Sequence, residues 1–290
     1  MKTLIYRHLK LFMKSPTNII LSFLSSGVIL SLYFLFIRDF TIKAVRDYGF
    51  ISNYNDLFVD KLMTAGLLIV IGATSILPII FIFVKDCYTG IIKDFIVTPI
   101  SYHKILFSYF FAALIVSVVI TFFIYFGIEL FFLLHYHDRD SITIIIQSIF
   151  ILFLSNVIAS MLLLLVALGI NQFTSFSTFQ TLYGVVIGFF TGVYIPIGYY
   201  PNIIRNIFFY FPLCQTTSIL RNIQTNPITT HILESYPKEI HSILYETFGI
   251  HLTVGNHVIS IQQQLWMMII IIILLNCILL LFTSFKEFHK

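Results

Sequence analysis

The sequence predicts an all-α, polytopic membrane protein, and composition is the first observation that does so. Of 290 residues, 58% are hydrophobic and 10% are charged, whereas soluble domains carry about 25% charged residues. The mean hydropathy is +0.95. Thirty charged side chains cannot cover a water-soluble surface of this size, and the high hydrophobicity also excludes a disordered chain.

The second observation is the length of the apolar stretches. Six of them are long enough to cross about 30 Å of hydrocarbon as helices. They cover residues 18–37, 62–84, 105–134, 142–170, 178–197 and 265–285. We therefore predict six transmembrane helices in one domain over residues 1–290, with the last and longest connection at 198–264.

The third observation is the placement of Lys and Arg. With a cytoplasmic N-terminus, the inner segments hold nine basic residues, and the outer segments hold eight over about twice the length. The positive-inside rule then predicts that both termini are cytoplasmic. The Phe- and Ile-rich, Ala-poor composition indicates an AT-rich bacterial genome, and hence a bacterial plasma membrane.

Residues 1–16 are predicted to form an amphipathic helix at the membrane surface. Arg7, Lys10 and Lys14 fall within about 60° of one another on a helix, and the apolar positions lie on the other side. Such helices bind in the headgroup layer, and Ser15-Pro16 would break the helix before the first span. The segment serves either as a simple basic anchor or also as a contact for a cytoplasmic partner.

The connection 85–104 is the longest inner loop. It is predicted to be a short helix that is broken at Gly90, resumes through Asp94 and Phe95, and stops at Thr98-Pro99. Ser101 is placed to cap the next helix. A short amphipathic helix at the membrane surface could insert into a groove of a soluble partner.

Several residues of this loop resemble a known family. Asp86, Gly90 and the sequence Thr98-Pro99-Ile100-Ser101 look like the acidic residue, the glycine and the ending of the coupling region in ABC type-2 transporter permeases. An interfacial N-terminal helix, six spans and a long last outer loop are also that family's plan. One departure is Asp86-Cys87, where family members often carry Glu followed by a charged residue.

The fifth predicted span carries a glycine stripe. Gly184, Gly188 and Gly192 recur every four residues, and such small-residue stripes let helices approach closely in lipid. The stripe could pack within the subunit or against a second permease copy, and the sequence leaves both alternatives open.

The stripe leads into a stretch rich in glycine and proline. Apolar residues 203–211 are too few to cross a membrane, so they are expected to re-enter the outer leaflet and return. The stretch resembles the ending of span five in the same family, where a re-entrant element caps the translocation path on the outside. The matching residues here are Gly192, Pro196, Pro201, Pro212 and Arg221. Tyr194 and Gly198, in the same stretch, are further candidates for this outer element. Pro227, Pro237 and Gly249 are expected to divide the following loop into short surface helices.

Two polar residues inside spans are pathway candidates. Glu129 is ionisable, which within a span indicates function by default, although it lies near enough to a loop to meet water. Asn156 could line a pathway or hydrogen-bond between helices. No residue set has metal-ligand spacing. No G-x-x-x-x-G-K-[ST] stretch is present, so the chain is expected to bind no ATP itself.

The resemblance implies a permease subunit of an ABC exporter rather than an enzyme. Two copies of a separate ATPase, which carry ATP and Mg, would dock on the inner side. Their expected contacts are Arg7, Lys10, Lys14, Asp86, Gly90, Asp94, Thr98, Pro99 and Ser101. A second permease subunit, identical or different, and membrane lipid are the other expected partners, and nucleic acid is not one.

The expected substrate is amphipathic or hydrophobic: a drug, an antimicrobial or lytic peptide, or a lipid-like toxin. The alternative function is a stand-alone membrane immunity or binding protein without an ATPase. An intramembrane enzyme would need paired catalytic groups at mid-span, and the sequence offers none.

Overall fold

A computed structural model describes residues 1–47, 55–170, 172–233, 238–254 and 257–288 of the chain, and nearly all of them are helical. The helices are α1 Lys2–Lys14, α2 Pro16–Leu32, α3 Arg38–Asp47, α4 Asn55–Ser75, α5 Leu77–Tyr88, α6 Ile91–Ile96, α7 Tyr102–Tyr136, α8 Ile142–Gly169, α9 Phe173–Phe190, α10 Asn202–Tyr210, α11 Pro212–Leu233, α12 Lys238–Thr247 and α13 Ile261–Phe288. A π-helical turn, Tyr33–Ile37, joins α2 to α3, and a 3-10 turn, Ile197–Tyr199, precedes α10. Two short antiparallel strands, β1 Thr253–Val254 and β2 His257–Val258, form a minor exception to the all-α prediction.

Four helical segments are long and apolar enough to cross a membrane. They are Asn55–Tyr88, Tyr102–Tyr136, Ile142–Gly169 and Ile261–Thr283. The all-α class is thus confirmed, and the second, third, fourth and sixth predicted spans each fall on such a helix. The first and fifth predicted spans fall mainly on α2, of 17 residues, and α9, of 18 residues, and their crossing of the membrane stays a prediction.

The α4 helix occupies the centre of the bundle. Nearly every residue of α4 is buried, and it contacts α2, α3, α7, α8, α9 and α11. The α13 helix lies at the periphery. Of the most apolar 18-residue stretch of this helix, 17% is buried, and Trp266 and Ile273 are exposed. Since such a surface cannot face water over this length, it is suited to contact with lipid.

A proline interrupts the long helical segment that contains α4 and α5. Pro78 stands in the first turn of α5, where its missing N–H breaks the regular ladder of hydrogen bonds. The backbone N–H groups of Ile79 and Ile80 both donate to the carbonyl of Ile76. The two helices are therefore stacked end to end with a local irregularity at Ile76.

Residues 198–233 form a pair of helices joined at a sharp turn. The nine-residue α10 ends at Tyr210, and Pro212 begins the 22-residue α11. The prediction that Pro227 divides this region is wrong, because α11 continues through it. Leu220 and Ile228, on either side of the proline, are buried in the core, and their packing outweighs the lost hydrogen bond.

Two further helix breaks are predicted after α11, at Pro237 and at Gly249. Gly249 follows the end of α12 with φ of 65°, a conformation that glycine adopts without strain, so a break there is confirmed. Pro237 lies outside the described residues.

Candidate functional site

The α1 helix packs on the bundle through one face. Leu4, His8 and Phe12 are buried at four-residue intervals, so they line a single stripe of the helix. That stripe contacts α2, α5 and α7. Lys10 and Lys14 are exposed on the opposite side, and the location of this helix at a membrane surface stays a prediction.

An ion pair ties α1 to the end of α5. Arg7 Nη1 donates to Asp86 Oδ2 at 2.7 Å, and Nη2 donates to Oδ1 at 3.3 Å. The Tyr109 hydroxyl of α7 also donates to Asp86 Oδ2, at 2.6 Å. The Asp86 side chain is 5% exposed and that of Arg7 is 29% exposed. The guanidinium also stacks over the Phe95 ring at 5.0 Å, so one arginine connects α1, α5 and α6.

His8 completes this contact in its neutral form. Ser108 Oγ donates to the Ile105 carbonyl at 2.6 Å, so its oxygen can accept from His8 Nε2 at 3.0 Å. His8 Nδ1, 3.2 Å from Arg7 Nη1, is then left to accept from the arginine. The ring stacks on Tyr109 with centroids 3.7 Å apart. Burial, and then the positive charge of Arg7, lower the pKa of His8 to about 4.

We expect acid to weaken the docking of α1 because His8 must then be protonated against Arg7. A folded pKa of about 4, below the ordinary 6.5, means that the stabilisation is complete above pH 6.5 and is lost as the pH falls toward 4. The full loss is roughly 3 kcal/mol. Thermal unfolding in detergent from pH 7.5 to 4.5 should fall more steeply for the wild type than for His8→Asn. Met13→Leu, at an exposed position of the same helix, serves as a control that keeps the wild-type slope, and equal slopes for all three proteins would contradict the prediction.

The segment beyond Asp86 protrudes from this contact. Gly90, with φ of 80°, separates α5 from α6, and the predicted break is therefore confirmed. Tyr88 and Val97 are 68% and 85% exposed. The other exposed residues of this turn include Lys93, Asp94, Thr98 and Pro99. The structure thus presents a solvent-facing helical turn at the same end of the bundle as Arg7 and Asp86.

Ser101 begins α7 without the predicted capping hydrogen bond. It occupies the N-cap position with extended backbone, but its side chain accepts no bond from the backbone of α7. Its hydroxyl instead lies 3.1 Å from His103 Nε2. The predicted position is correct, and the predicted side-chain interaction is absent at this residue.

The three glycines of the predicted stripe all have neighbours within the chain. A Cβ at Gly188 would collide with the Tyr194 ring, and one at Gly184 would touch Thr74 at 3.4 Å. Gly192 has φ of 64° and ends the helix beneath Ile197. Packing within the subunit thus accounts for these contacts, while the role of the stripe in a dimer stays a prediction.

Arg221 holds together the helix ends around these glycines. The fully buried guanidinium donates to the backbone carbonyls of Leu62 at 3.2 Å, Phe248 at 2.9 Å and Gly192 at 3.0 Å. Among the described residues no carboxylate forms an ion pair with it. The predicted Arg221 is therefore a cross-link between α4, α11 and the segments that follow α9 and α12.

The remaining residues of the predicted re-entrant motif stand at turns. Pro196 precedes the 3-10 turn, and Pro201 precedes α10. Gly198 lies against the backbone of Thr247, where an added Cβ would be 2.5 Å from the Thr247 Cα. Only a residue without a side chain fits this approach, because backbone atoms cannot move aside.

The opposite end of the bundle holds a charged cluster that sequence reasoning missed. The fully buried Asp60 accepts from the Tyr33 hydroxyl at 2.6 Å, from Arg38 Nε at 2.9 Å and from the Tyr136 hydroxyl at 2.5 Å. Arg38 also pairs with Asp56 at 3.3 Å. These residues, the Asp60 cluster, join the π-helical turn and α3 to α4 and α7.

A second buried ion pair lies beside the Asp60 cluster. Lys61 Nζ is 2.5 Å from both Asp138 Oδ2 and Asp140 Oδ1. Lys61 and Asp140 have side chains only 2% and 3% exposed. The pair fixes the loop between α7 and α8 to the first turns of α4.

The predicted pathway residues lie in different surroundings. Glu129 is partly buried on α7 near Lys61 and Asp140, and its Oε1 has no hydrogen-bond partner among the described residues. Asn156 is buried in α8 and donates to Thr121 Oγ1 at 3.4 Å, beside Gly72 of α4. The structure does not bring the two together. The contact of Asn156 is of the kind that joins helices.

No group of three or more His, Cys, Asp or Glu side chains within the described ranges could hold a metal ion. Comparison with known proteins supplies no relative, since no family model matches the chain and no curated protein is significantly similar to it. The candidate functional features are therefore the charged residues at the two ends of the bundle and the exposed turn beside Arg7.

Proposed function

We propose that this chain is the membrane-spanning permease subunit of an ABC exporter, driven by ATP hydrolysed on a separate ATPase. The observation that carries the proposal is the Arg7–Asp86 ion pair beside the exposed turn at residues 88–101. A force applied to that turn would reach both α1 and the α5–α7 pair, because Arg7 and Tyr109 hold the same carboxylate.

The proposal includes six spans, with α2 and α9 as the first and fifth. Both termini and the α6 turn would then be cytoplasmic, and the Asp60 cluster would lie at the outer end. The α1 helix would lie in the headgroup layer, since its exposed Lys10 and Lys14 suit anionic lipid. The plasma membrane of a bacterium is the proposed location.

The coupling proposed for the inner end is mechanical. Two ATPase subunits would bind the α6 turns of two permease copies, in a homodimer or a heterodimer, and ATP and Mg would be held by the ATPases. Closure of the ATPases would shift α6 and, through Arg7, the interfacial helix. The surface of α6 suits such docking because it mixes exposed apolar and charged side chains, as Val97 and Asp94 illustrate.

The proposed substrate is amphipathic or hydrophobic, such as a drug, an antimicrobial or lytic peptide or a lipid-like toxin. The α10–α11 pair would form the re-entrant element that closes the path on the outside. Its support is the turn at Pro212 and the cross-link through Arg221, which fix the pair to α4.

Co-purification tests the proposal. The tagged wild-type chain, isolated in mild detergent from its native membrane, should bring down vanadate-sensitive ATPase activity and a chain with a G-x-x-x-x-G-K-[ST] motif. Arg7→Met should reduce this activity at least about tenfold, because it leaves Asp86 buried without its counter-ion. Adding Asp86→Asn to the same protein should restore most of it, since the unpaired charge is then removed.

Lys2→Glu is the matched control, because it changes an exposed charge on the same helix. It should leave the ATPase bound. A wild-type chain that carries no ATPase would overturn the transporter proposal and favour a stand-alone immunity or binding protein.

A further inference from the structure

The π-helical turn between α2 and α3 contains one residue more than an α-helical turn. The Arg38 N–H donates to the Tyr33 carbonyl, five residues earlier, whereas the Tyr33 N–H still bonds to the Ile29 carbonyl, four residues earlier. Single π-helical turns are rare inside α-helices and occur frequently at functional sites. The additional residue lies on the surface, since Leu35 and Phe36 are 73% and 69% exposed.

This turn brings two side chains to one carboxylate. In an α-helix, residues five apart are separated by about 140° around the axis, so the side chains of Tyr33 and Arg38 would lie on different faces. In the π-helical turn both contact Asp60 Oδ1, which is 2.6 Å from the Tyr33 hydroxyl and 2.9 Å from Arg38 Nε. Tyr33 and Asp60 are fully buried. The Asp60 cluster therefore stabilises the π-helical form of the turn.

An α-helical form of the same turn would keep the charges of the cluster paired. The α3 helix is packed on α4 through its buried face, so Arg38 at the start of α3 would stay beside Asp60. Tyr33 would leave the carboxylate, and the turn would regain regular hydrogen bonds between residues four apart. Since one hydrogen bond replaces another, the two forms are close in free energy.

We propose that Tyr33–Ile37 is a conformational switch that rotates α2 about its axis while α3 stays packed on α4. Conversion of the turn from the π-helical to the α-helical form shifts α2 by one residue, which is a rotation of about 100°. Packed helices change between discrete arrangements of this kind. The switch is a property of this chain and requires no ligand.

The position of the switch indicates what it does. The α2 helix follows α1 directly after Ser15, and the two helices contact each other. A displacement of α1 would therefore turn α2, and the change of form at Tyr33–Ile37 would allow this rotation without displacing α3. In naming an ATPase as the source of the displacement, the inference rests on the proposed function.

Distances between two spin labels, measured by pulsed EPR on the full chain in nanodiscs, test the switch. The labels are attached at Leu32→Cys, at the end of α2, and at Ile142→Cys, at the start of α8, and both positions are exposed. The exposed Cys87 and Cys277 are replaced by serine. Tyr33→Phe removes the hydroxyl that binds Asp60 and should populate a second distance. The expected displacement of the label is roughly 8 Å, for a rotation of about 100° at the helix surface.

Two controls separate rotation of α2 from a general loosening of the cluster. Tyr136→Phe removes another hydroxyl from the same carboxylate, but Tyr136 belongs to α7, so the distance between the labels should not change. A label at Lys43→Cys, on the exposed side of α3, should keep its distance to the label at Ile142→Cys when Tyr33→Phe is added.

Deletion of Phe36 tests the role of the additional residue. Tyr33 and Arg38 are then four residues apart, which on an α-helix places them within about 40° of each other and lets both contact Asp60. The deletion variant should fold and keep the wild-type distance between Leu32→Cys and Ile142→Cys. Addition of Tyr33→Phe to the deletion variant should produce no second distance.

Three results would each overturn the switch. They are an unchanged single distance in Tyr33→Phe, a second distance that persists after the deletion, and a deletion variant that does not fold. Failure of the ATPase to co-purify would remove the proposed source of the displacement and leave the distance measurements intact.

Discussion

Replacing Lys61 with methionine is expected to destabilise the protein by roughly 4 kcal/mol. The ammonium contacts both Asp138 and Asp140, and the side chains of Lys61 and Asp140 are almost completely buried. Removal of Lys61 leaves the buried carboxylate of Asp140, and the half-buried one of Asp138, without a counter-ion, and that is far more costly than the net value of the pair. Equilibrium unfolding in mixed SDS–detergent micelles would measure the change in free energy.

The triple variant Lys61→Met, Asp138→Asn, Asp140→Asn separates charge from packing. It removes all the charges of the pair together, so most of the lost stability should return. Lys43→Met, at an exposed position of α3, is the matched control and should change stability by less than about 0.5 kcal/mol. If the triple variant is as unstable as the single one, the loss is due to packing and the electrostatic account fails.

Arg221→Met is expected to cost a similar amount, roughly 4 kcal/mol, for a different reason. The side chain donates to the carbonyls of Leu62, Gly192 and Phe248, and methionine can donate to none of them. Each acceptor left without a donor costs about 1–3 kcal/mol, partly offset because a buried charge is also removed. The same unfolding experiment would detect the change.

Hydrogen exchange would locate this second effect. Amides near Gly192 and Phe248 should exchange faster in Arg221→Met, because the segments after α9 and α12 lose their hydrogen bonds to the guanidinium. Exchange in α7 and α13 should be unaffected. Arg205→Met is the control, since within the described part of the chain Arg205 bonds only to Asn202 on its own helix. Uniformly faster exchange throughout the bundle would contradict a local cross-link.

Much of the helix plan follows from the length of apolar stretches. The predicted spans 105–134 and 142–170 fall within a few residues of α7 and α8, because an uninterrupted apolar run has no alternative to a helix in lipid. The break at Gly90 was also predictable, because glycine adopts a positive φ without strain and so often ends a helix, as it does here. Pro227 is the counterexample, because the packing that carries α11 through a proline involves contacts distant in sequence.

The charged groups illustrate the limit of reasoning from sequence alone. Asp60 and Lys61 lie just before the predicted span 62–84, yet both are buried within α4. Hydropathy windows assign charges at the edge of a span to the loop, and only the fold shows which partners neutralise them. Two adjacent opposite charges just before an apolar run are the signal that could have indicated buried pairing.

The site at the other end was predicted in part. Arg7 and Asp86 both entered the predicted coupling set, but their direct contact joins residues 79 positions apart. The sequence did not predict the roles of His8, Ser108 and Tyr109. A single hydroxyl or imidazole inside an apolar run is usually a buried group that finds a hydrogen-bond partner in the core. Their roles depend on the register between α1 and α7, which no local pattern specifies.

The stacking of α4 on α5 has a consequence for how distant parts of the molecule communicate. Lys61 and Asp86 are borne by one rod of 34 residues, Asn55–Tyr88, and at 1.5 Å per residue they are separated by roughly 40 Å. Pro78 is the only proline of this segment. A change in the bend angle at Pro78 would move the end that carries Asp86 relative to the end that carries Lys61. Because α4 and α5 are each regular helices, a small displacement of one end would be transmitted to the other end of the segment.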